Sequence, residues 1–188
     1  MNLAKAGDNI VMGLHLYGCT YTFFAHMVTA LGTDGRFVAD DSVSALEALI
    51  DDNTQAVFFE TIGNPAGNIV DIAAVTEMAH RHGVCTIADN TVASPSLLKP
   101  IEHGVDIVVH SVTKYMGGHG TTLGIVIVDS GKFPWTETAT RYPEMNQPGA
   151  SYTGVVYPEA FGPAAYLGRS QTIPLRHTVA RVWPDPGS

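Results

Sequence analysis

Cationic side chains are scarce in this chain. Lys and Arg together number 10 against 18 Asp and Glu in 188 residues, for a formal charge of −8. No cluster of Lys and Arg occurs, which argues against nucleic acid or an anionic membrane surface as the main partner. A bound anion must instead be held locally, by backbone N–H groups or a few placed side chains. No apolar run reaches the roughly 18 residues of a membrane span, and the opening MNLAKAGDNI contains no signal-peptide core. Cysteine is nearly missing: Cys19 and Cys85 stand far apart in no C-x-x-C arrangement, which fits a reduced cytoplasmic chain with inert thiols. The chain lacks H-E-x-x-H, and its close histidine pair, His80 and His82, reads as charge at a helix C-terminus; no metal site is expected.

What remains is apolar enough to fold. Hydrophobic residues make up 45 % of a length that suits one domain. Short β-rich runs alternate with helical stretches, the pattern of an α/β fold with a mostly parallel sheet and helices on both faces. The strands are expected at Asn9–Gly13, Arg36–Ala39, Ala56–Glu60, Val84–Ala88, Asp106–His110 and Leu123–Val128. Helices are expected at Thr20–Leu31, Val43–Asp51, Ile72–His82 and Leu97–His103. Asp71 is a fitting N-cap for the third helix and Gly83 a fitting stop. Beyond Gly131 the prolines and glycines predict a long irregular segment, functional or covered by a partner, with a helix starting within Ala160–Arg169.

In open α/β sheets ligands sit beyond the carboxyl ends of the strands. Asn64, Asp89 and Lys114 each follow a predicted strand, at equal intervals of 25 residues. One strand–helix–loop unit has about that length, so all three can share one sheet edge. Ser111 and Thr113 flank the lysine, and Tyr17 follows the first strand. An amine, a carboxylate, an amide, two hydroxyls and an aromatic face suit pyridoxal phosphate (PLP). The lysine bonds the aldehyde, the carboxylate keeps the pyridine nitrogen protonated, hydroxyls bind phosphate, and the aromatic ring stacks. Val109, Val112, Tyr115 and Met116 predict an apolar setting around Lys114. Two plainer readings stand beside these: Asp89 as a helix N-cap and Tyr17 as packing. Gly117-Gly118-His119-Gly120 lacks the spacing of a phosphate loop and reads as close backbone approach below the lysine.

The segment Asp106-Ile-Val-Val-His-Ser-Val-Thr-Lys-Tyr-Met-Gly-Gly-His-Gly120 resembles the lysine signature of the Cys/Met-metabolism PLP enzymes. Leu16-Tyr-Gly-Cys-Thr-Tyr21, Glu60-Thr-Ile-Gly-Asn-Pro65 and Ile87-Ala-Asp-Asn-Thr91 resemble three further motifs of that family, in order. Glu60-Thr-Ile-Gly-Asn-Pro65, with Gly131-Lys-Phe133 and an aromatic soon after the last strand, is most similar to the O-acetylhomoserine sulfhydrylase branch; the lyases more often carry Ser or Thr in place of Ile62-Gly63. The resemblance implies an aspartate aminotransferase-like (fold type I) large domain. It implies Lys114 as the lysine that joins PLP, Asp89 at the pyridine nitrogen, Ser111 and Thr113 at the phosphate, Asn64 at the ring 3′-oxygen and Tyr17 on the ring, with a part in proton transfer at the leaving group. The implied reaction is γ-replacement, in which O-acetylhomoserine and sulfide give homocysteine and acetate. Cystathionine γ-synthase or lyase and methionine γ-lyase chemistry, or an inactive remnant, are the alternatives. By the same resemblance residues 1–176 are a partial large domain without its first strand and small domain, and residues 177–188 a divergent tail. The partners expected are an amino-acid substrate and sulfide or a thiol, with a homotetramer as the family's assembly. An incompletely covered sheet is also expected to associate or aggregate.

Overall fold

The computed structural model describes residues 2–40, 42–150 and 152–173; the expected tail lies outside the described residues. They divide into two compact units, one running from Ala4 to Ser130, the other joining the residues up to Leu3 with those from Gly131 onward.

The first unit carries the sheet. Its strands are β1 (Asn9–Met12), β2 (Asp34–Phe37), β3 (Thr54–Glu60), β4 (Cys85–Asp89), β5 (Ile107–Ser111) and β6 (Ile125–Asp129). They lie in the order β2-β1-β3-β4-β5-β6, parallel except for β6, which returns antiparallel beside β5. Each expected strand is present within a residue or two. The largest displacement is β2, which starts at Asp34 because its ladder is set by Asn9.

Alternation along the strands builds two cores. Val11, Val57 and Phe59 face one side, where they pack with Ile72, Val75, Met78 and Ala79. Ile10, Met12, Ala56 and Phe58 face the other, against Leu16 and Phe24. Each of the Val, Ile, Leu, Phe and Met side chains among them contributes roughly 1.5–3 kcal/mol when fully buried. β3 is buried at all seven positions, as a central parallel strand must be.

The helices are shorter than their apolar periodicity suggests. The first is continuous but irregular: α1 (Gly18–Thr22), a π-helical turn at Phe23–Met27, then α2 (Val28–Ala30). α3 (Val43–Ala48) is capped by Ser42, and α4 (Ile72–Arg81) by Asp71, whose side chain accepts the Ala74 N–H at 3.1 Å. Gly83, with φ +63°, stops α4 as expected. The stretch expected at Leu97–His103 divides into α5 (Ser94–Leu97) and a 3₁₀ turn at Pro100–His103, because Pro100 holds Lys99 out of the helical region. His80 and His82 pair with acids: His80 Nε2 lies 2.9 Å from Asp106 Oδ2 and His82 Nε2 2.9 Å from Glu47 Oε1.

The second unit holds more helix than the long irregular segment expected, and a helix does start within Ala160–Arg169 as expected. It contains α6 (Pro143–Asn146), α7 (Tyr157–Phe161) and α8 (Ala165–Ser170). Pro143 and Pro158 sit in the first turns of α6 and α7, where a missing N–H costs nothing, so these prolines start helices rather than break them. Phe133, Trp135, Tyr142 and Tyr166 form an aromatic cluster, with Trp135 and Tyr166 stacked at 6.2 Å. Arg169, 7 % exposed, is satisfied by the main-chain oxygens of Asn2 and Glu144 and by Asn2 Oδ1.

Among the described residues, no helix is long and apolar enough to cross a membrane.

Candidate active site

The carboxyl ends of β1, β3, β4 and β5 surround one cavity of about 310 Å³, within the volume range of small-ligand sites. Tyr17, Glu60, Asn64, Asp89, Ser111 and Lys114 line it, together with Thr91, Val92 and Tyr115. Five of the six residues predicted from the sequence thus meet in one place. The equal spacing works because each crossover returns the chain to the same edge of a parallel sheet.

Asp89 ends β4 and is fixed by its neighbours. The Thr91 amide and hydroxyl both donate to Asp89 Oδ1, at 2.9 and 2.5 Å, while Thr91 Oγ1 accepts the Ser111 N–H at 2.9 Å. This relay ties the end of β4 to that of β5 and leaves Oδ2 for other contacts. The N-cap reading of Asp89 does not hold: the next helix, α5, has Ala93 at its N-cap. Behind Asp89, buried Asn90 accepts the Thr61 hydroxyl at 2.7 Å and donates to the Leu98 carbonyl at 2.8 Å.

Thr113 is not among the lining residues. Its Oγ1 accepts the Gly124 N–H at 3.0 Å, anchoring the lysine turn to the chain entering β6. The turn itself is tight. Gly117 N–H donates to the Val112 carbonyl at 2.8 Å, and Gly118 N–H to the Lys114 carbonyl at 2.8 Å. A Cβ on Gly117 would lie 2.6 Å from the Val112 oxygen, so the close backbone approach read from the sequence is present at Gly117, whereas a Cβ on Gly118 or Gly120 would meet open space. Gly117→Ala is therefore expected to cost about 1–3 kcal/mol through overpacking. A urea titration showing an unchanged midpoint would mean that the turn relaxes without strain.

The apolar enclosure predicted around Lys114 is not formed by Tyr115 and Met116. Both are exposed, at 68 % and 44 %, although Tyr115 still borders the cavity. Tyr17 is 46 % exposed, so packing does not account for it. A side-chain hydrogen bond with Cys19 raises its phenol above the ordinary value.

Sequence reasoning missed Glu60 and Thr91. Glu60 Oε1 accepts the Tyr17 N–H at 2.6 Å, and the carboxyl is pushed up to about 7, chiefly by burial, opposed by the Tyr17 amide and aided by the Asp89 charge. An acid closing the apolar run Ala56–Phe59 was the available signal for Glu60.

The family described as Cys/Met metabolism PLP-dependent enzyme matches residues 1–159. A homocysteine synthase of Schizosaccharomyces pombe is 50 % identical over 175 residues, which cover 93 % of this chain and 41 % of that protein. A Campylobacter jejuni protein assigned as an O-acetylhomoserine (thiol)-lyase, whose crystal structure contains N′-pyridoxyl-lysine-5′-monophosphate, superimposes with a TM-score of 0.86 at 35 % identity. That match covers 95 % of this chain and 43 % of the other. The O-acetylhomoserine sulfhydrylase of Wolinella succinogenes gives 0.76 at 30 % identity, over 98 % of this chain and 48 % of the other. The chain thus spans about two fifths of the length of the curated relatives it matches most strongly. Its fold is the expected α/β, fold type I architecture.

Proposed function

We propose that this chain, which belongs to the Cys/Met metabolism PLP-dependent enzyme family, binds PLP and serves γ-replacement on O-acetyl-L-homoserine. Sulfide replaces acetate at Cγ, giving homocysteine and acetate. The observation that carries this reading is the convergence of Lys114, Asp89, Ser111, Asn64 and Tyr17 on one cavity. The names of the relatives support the substrate.

The donor set fits the cofactor chemically. Lys114 supplies the only ammonium among the cavity-lining residues, Asp89 a carboxylate already oriented by Thr91, and Tyr17 an open aromatic face. PLP, when bound, provides an electron sink for negative charge developing at the substrate Cα. Lys114 would attach the cofactor through its amine and would serve as the base that moves protons at the substrate Cα and Cβ. Asp89 holds a proton on the pyridine nitrogen. Ser111 would bind the phosphate, with Thr113 holding the lysine turn through Gly124 rather than facing the cavity; Asn64 would hold the ring oxygen, and Tyr17 would cover the ring and assist proton transfer at the leaving group. A reducing cytoplasmic setting suits two cysteines neither of which forms a disulfide.

The test is to incubate the chain with PLP, O-acetylhomoserine and sulfide. Homocysteine and acetate formed in equal amounts are expected. Cystathionine formed with cysteine as the thiol, in the absence of sulfide turnover, would assign the synthase instead. Keto-acid release from cystathionine would assign a lyase. No product and no PLP adduct would leave a remnant without chemistry.

A further inference from the structure

Glu60 is the one buried ionisable group in the cavity to which the proposed reaction gives no task. It closes β3 in register with Asp89 on β4 and is 6 % exposed. The groups gathered around it are Asp89 from β4, Tyr17 and His15 from the segment after β1, and Lys114 and Tyr115 from the turn after β5. A carboxylate here pays desolvation and repulsion from Asp89. An apolar side chain would avoid both.

The contact it makes in return is with Tyr17. Tyr17 is the N-cap residue of α1 and makes no side-chain cap bond there. Its ring is half exposed, so burial does not orient it, and its side-chain hydrogen bond runs to Cys19 within α1 rather than to the sheet. The link from Tyr17 to the sheet is its amide, held by Glu60 Oε1 at 2.6 Å. An ionised carboxylate accepts an N–H more strongly than a protonated one.

We propose that Glu60 is a positioning residue: its carboxyl clamps the Tyr17 amide, fixes the start of α1 and so aims the Tyr17 ring at the cavity, with a firmer hold when Glu60 is ionised. What the ring faces rests on the PLP reading above; the clamp itself is a property of the chain alone.

Hydrogen exchange of the Tyr17 amide, followed from pH 6 to 8 without added cofactor, tests the clamp directly. In the native chain the protection factor is expected to rise through the neutral range, as Glu60 loses its proton. Glu60→Gln keeps an acceptor oxygen, so protection persists but no longer varies with pH. Glu60→Leu loses protection by about tenfold or more and weakens PLP binding by a similar factor. Native-like protection in Glu60→Leu, or an undiminished pH dependence in Glu60→Gln, overturns the proposal. The second outcome decides the matter even where the leucine variant fails to fold. Failure of the PLP reading looks different: the native chain forms no adduct, while its Tyr17 amide still responds to Glu60.

Discussion

Lys114→Ala is expected to remove the visible absorbance of a pyridoxal–lysine adduct completely and to lower γ-replacement by several orders of magnitude, while leaving the far-ultraviolet circular dichroism unchanged. Lys114 is exposed and lies in a turn whose shape is set by backbone contacts: Lys114 N–H to the Ser111 carbonyl at 3.1 Å and Gly118 N–H to the Lys114 carbonyl at 2.8 Å. The side chain therefore contributes little to stability, and its loss is chemical. Removing a covalent nucleophile costs far more than removing a group that only orients. Lys114→Arg sharpens the result. It restores the charge without a nucleophilic amine, so weak PLP binding is expected with no adduct band. An adduct that persists in Lys114→Ala would move the attachment to Lys99 or another lysine and dissolve the assignment of this cavity.

The parts of this site legible in the sequence share one property: each is a polar residue just after a parallel strand. Asn64, Asp89 and Lys114 were readable because the crossovers have equal length, and a parallel sheet converts equal length into a common edge. The strands were legible because β-branched runs bounded by turns have few other solutions. Glu60 was harder, since the last position of a buried strand and the first position of a loop look alike in a sequence. Its role depends on a partner, Tyr17, that lies 43 residues earlier. Thr113 shows the opposite problem. Its place beside Lys114 suggests the cavity, yet a turn this tight directs its hydroxyl to Gly124. The segment after Gly131 was misjudged because proline is ambiguous: it stops a helix from inside but suits its first turn. In the structure Pro143 begins α6, next to Tyr142, whose ring packs edge-on against Trp135.

A loss of comparable size, in stability rather than chemistry, is expected at Asp106. Its carboxyl is buried, 3 % exposed, and Oδ2 accepts three donors: the Thr86 amide at 2.8 Å, the Thr86 hydroxyl at 2.7 Å and His80 Nε2 at 2.9 Å. The Asp106 amide in turn donates to Thr86 Oγ1 at 3.1 Å, closing a ring between β4 and the entry to β5. Asp106→Ala strands the Thr86 amide, which is buried and has no route to water, and should lower unfolding stability by about 3–5 kcal/mol. Against a total of roughly 5–15 kcal/mol for a domain, that is enough to populate the unfolded chain. The same pair gives a pH signature. The hydrogen bond to Asp106 raises the His80 pKa above 6.5, against a smaller opposing effect of burial. A raised folded-state pKa means that the stabilisation is complete below 6.5 and is lost as pH climbs through the higher folded value. The urea midpoint of the native chain should therefore fall between pH 6 and pH 8, and His80→Gln should flatten that fall. A midpoint that rises over this interval, or an Asp106→Ala chain as stable as the native one, would mean that the join between β4 and β5 is held by the ladder hydrogen bonds and the Val84, Ile107 and Val108 packing alone.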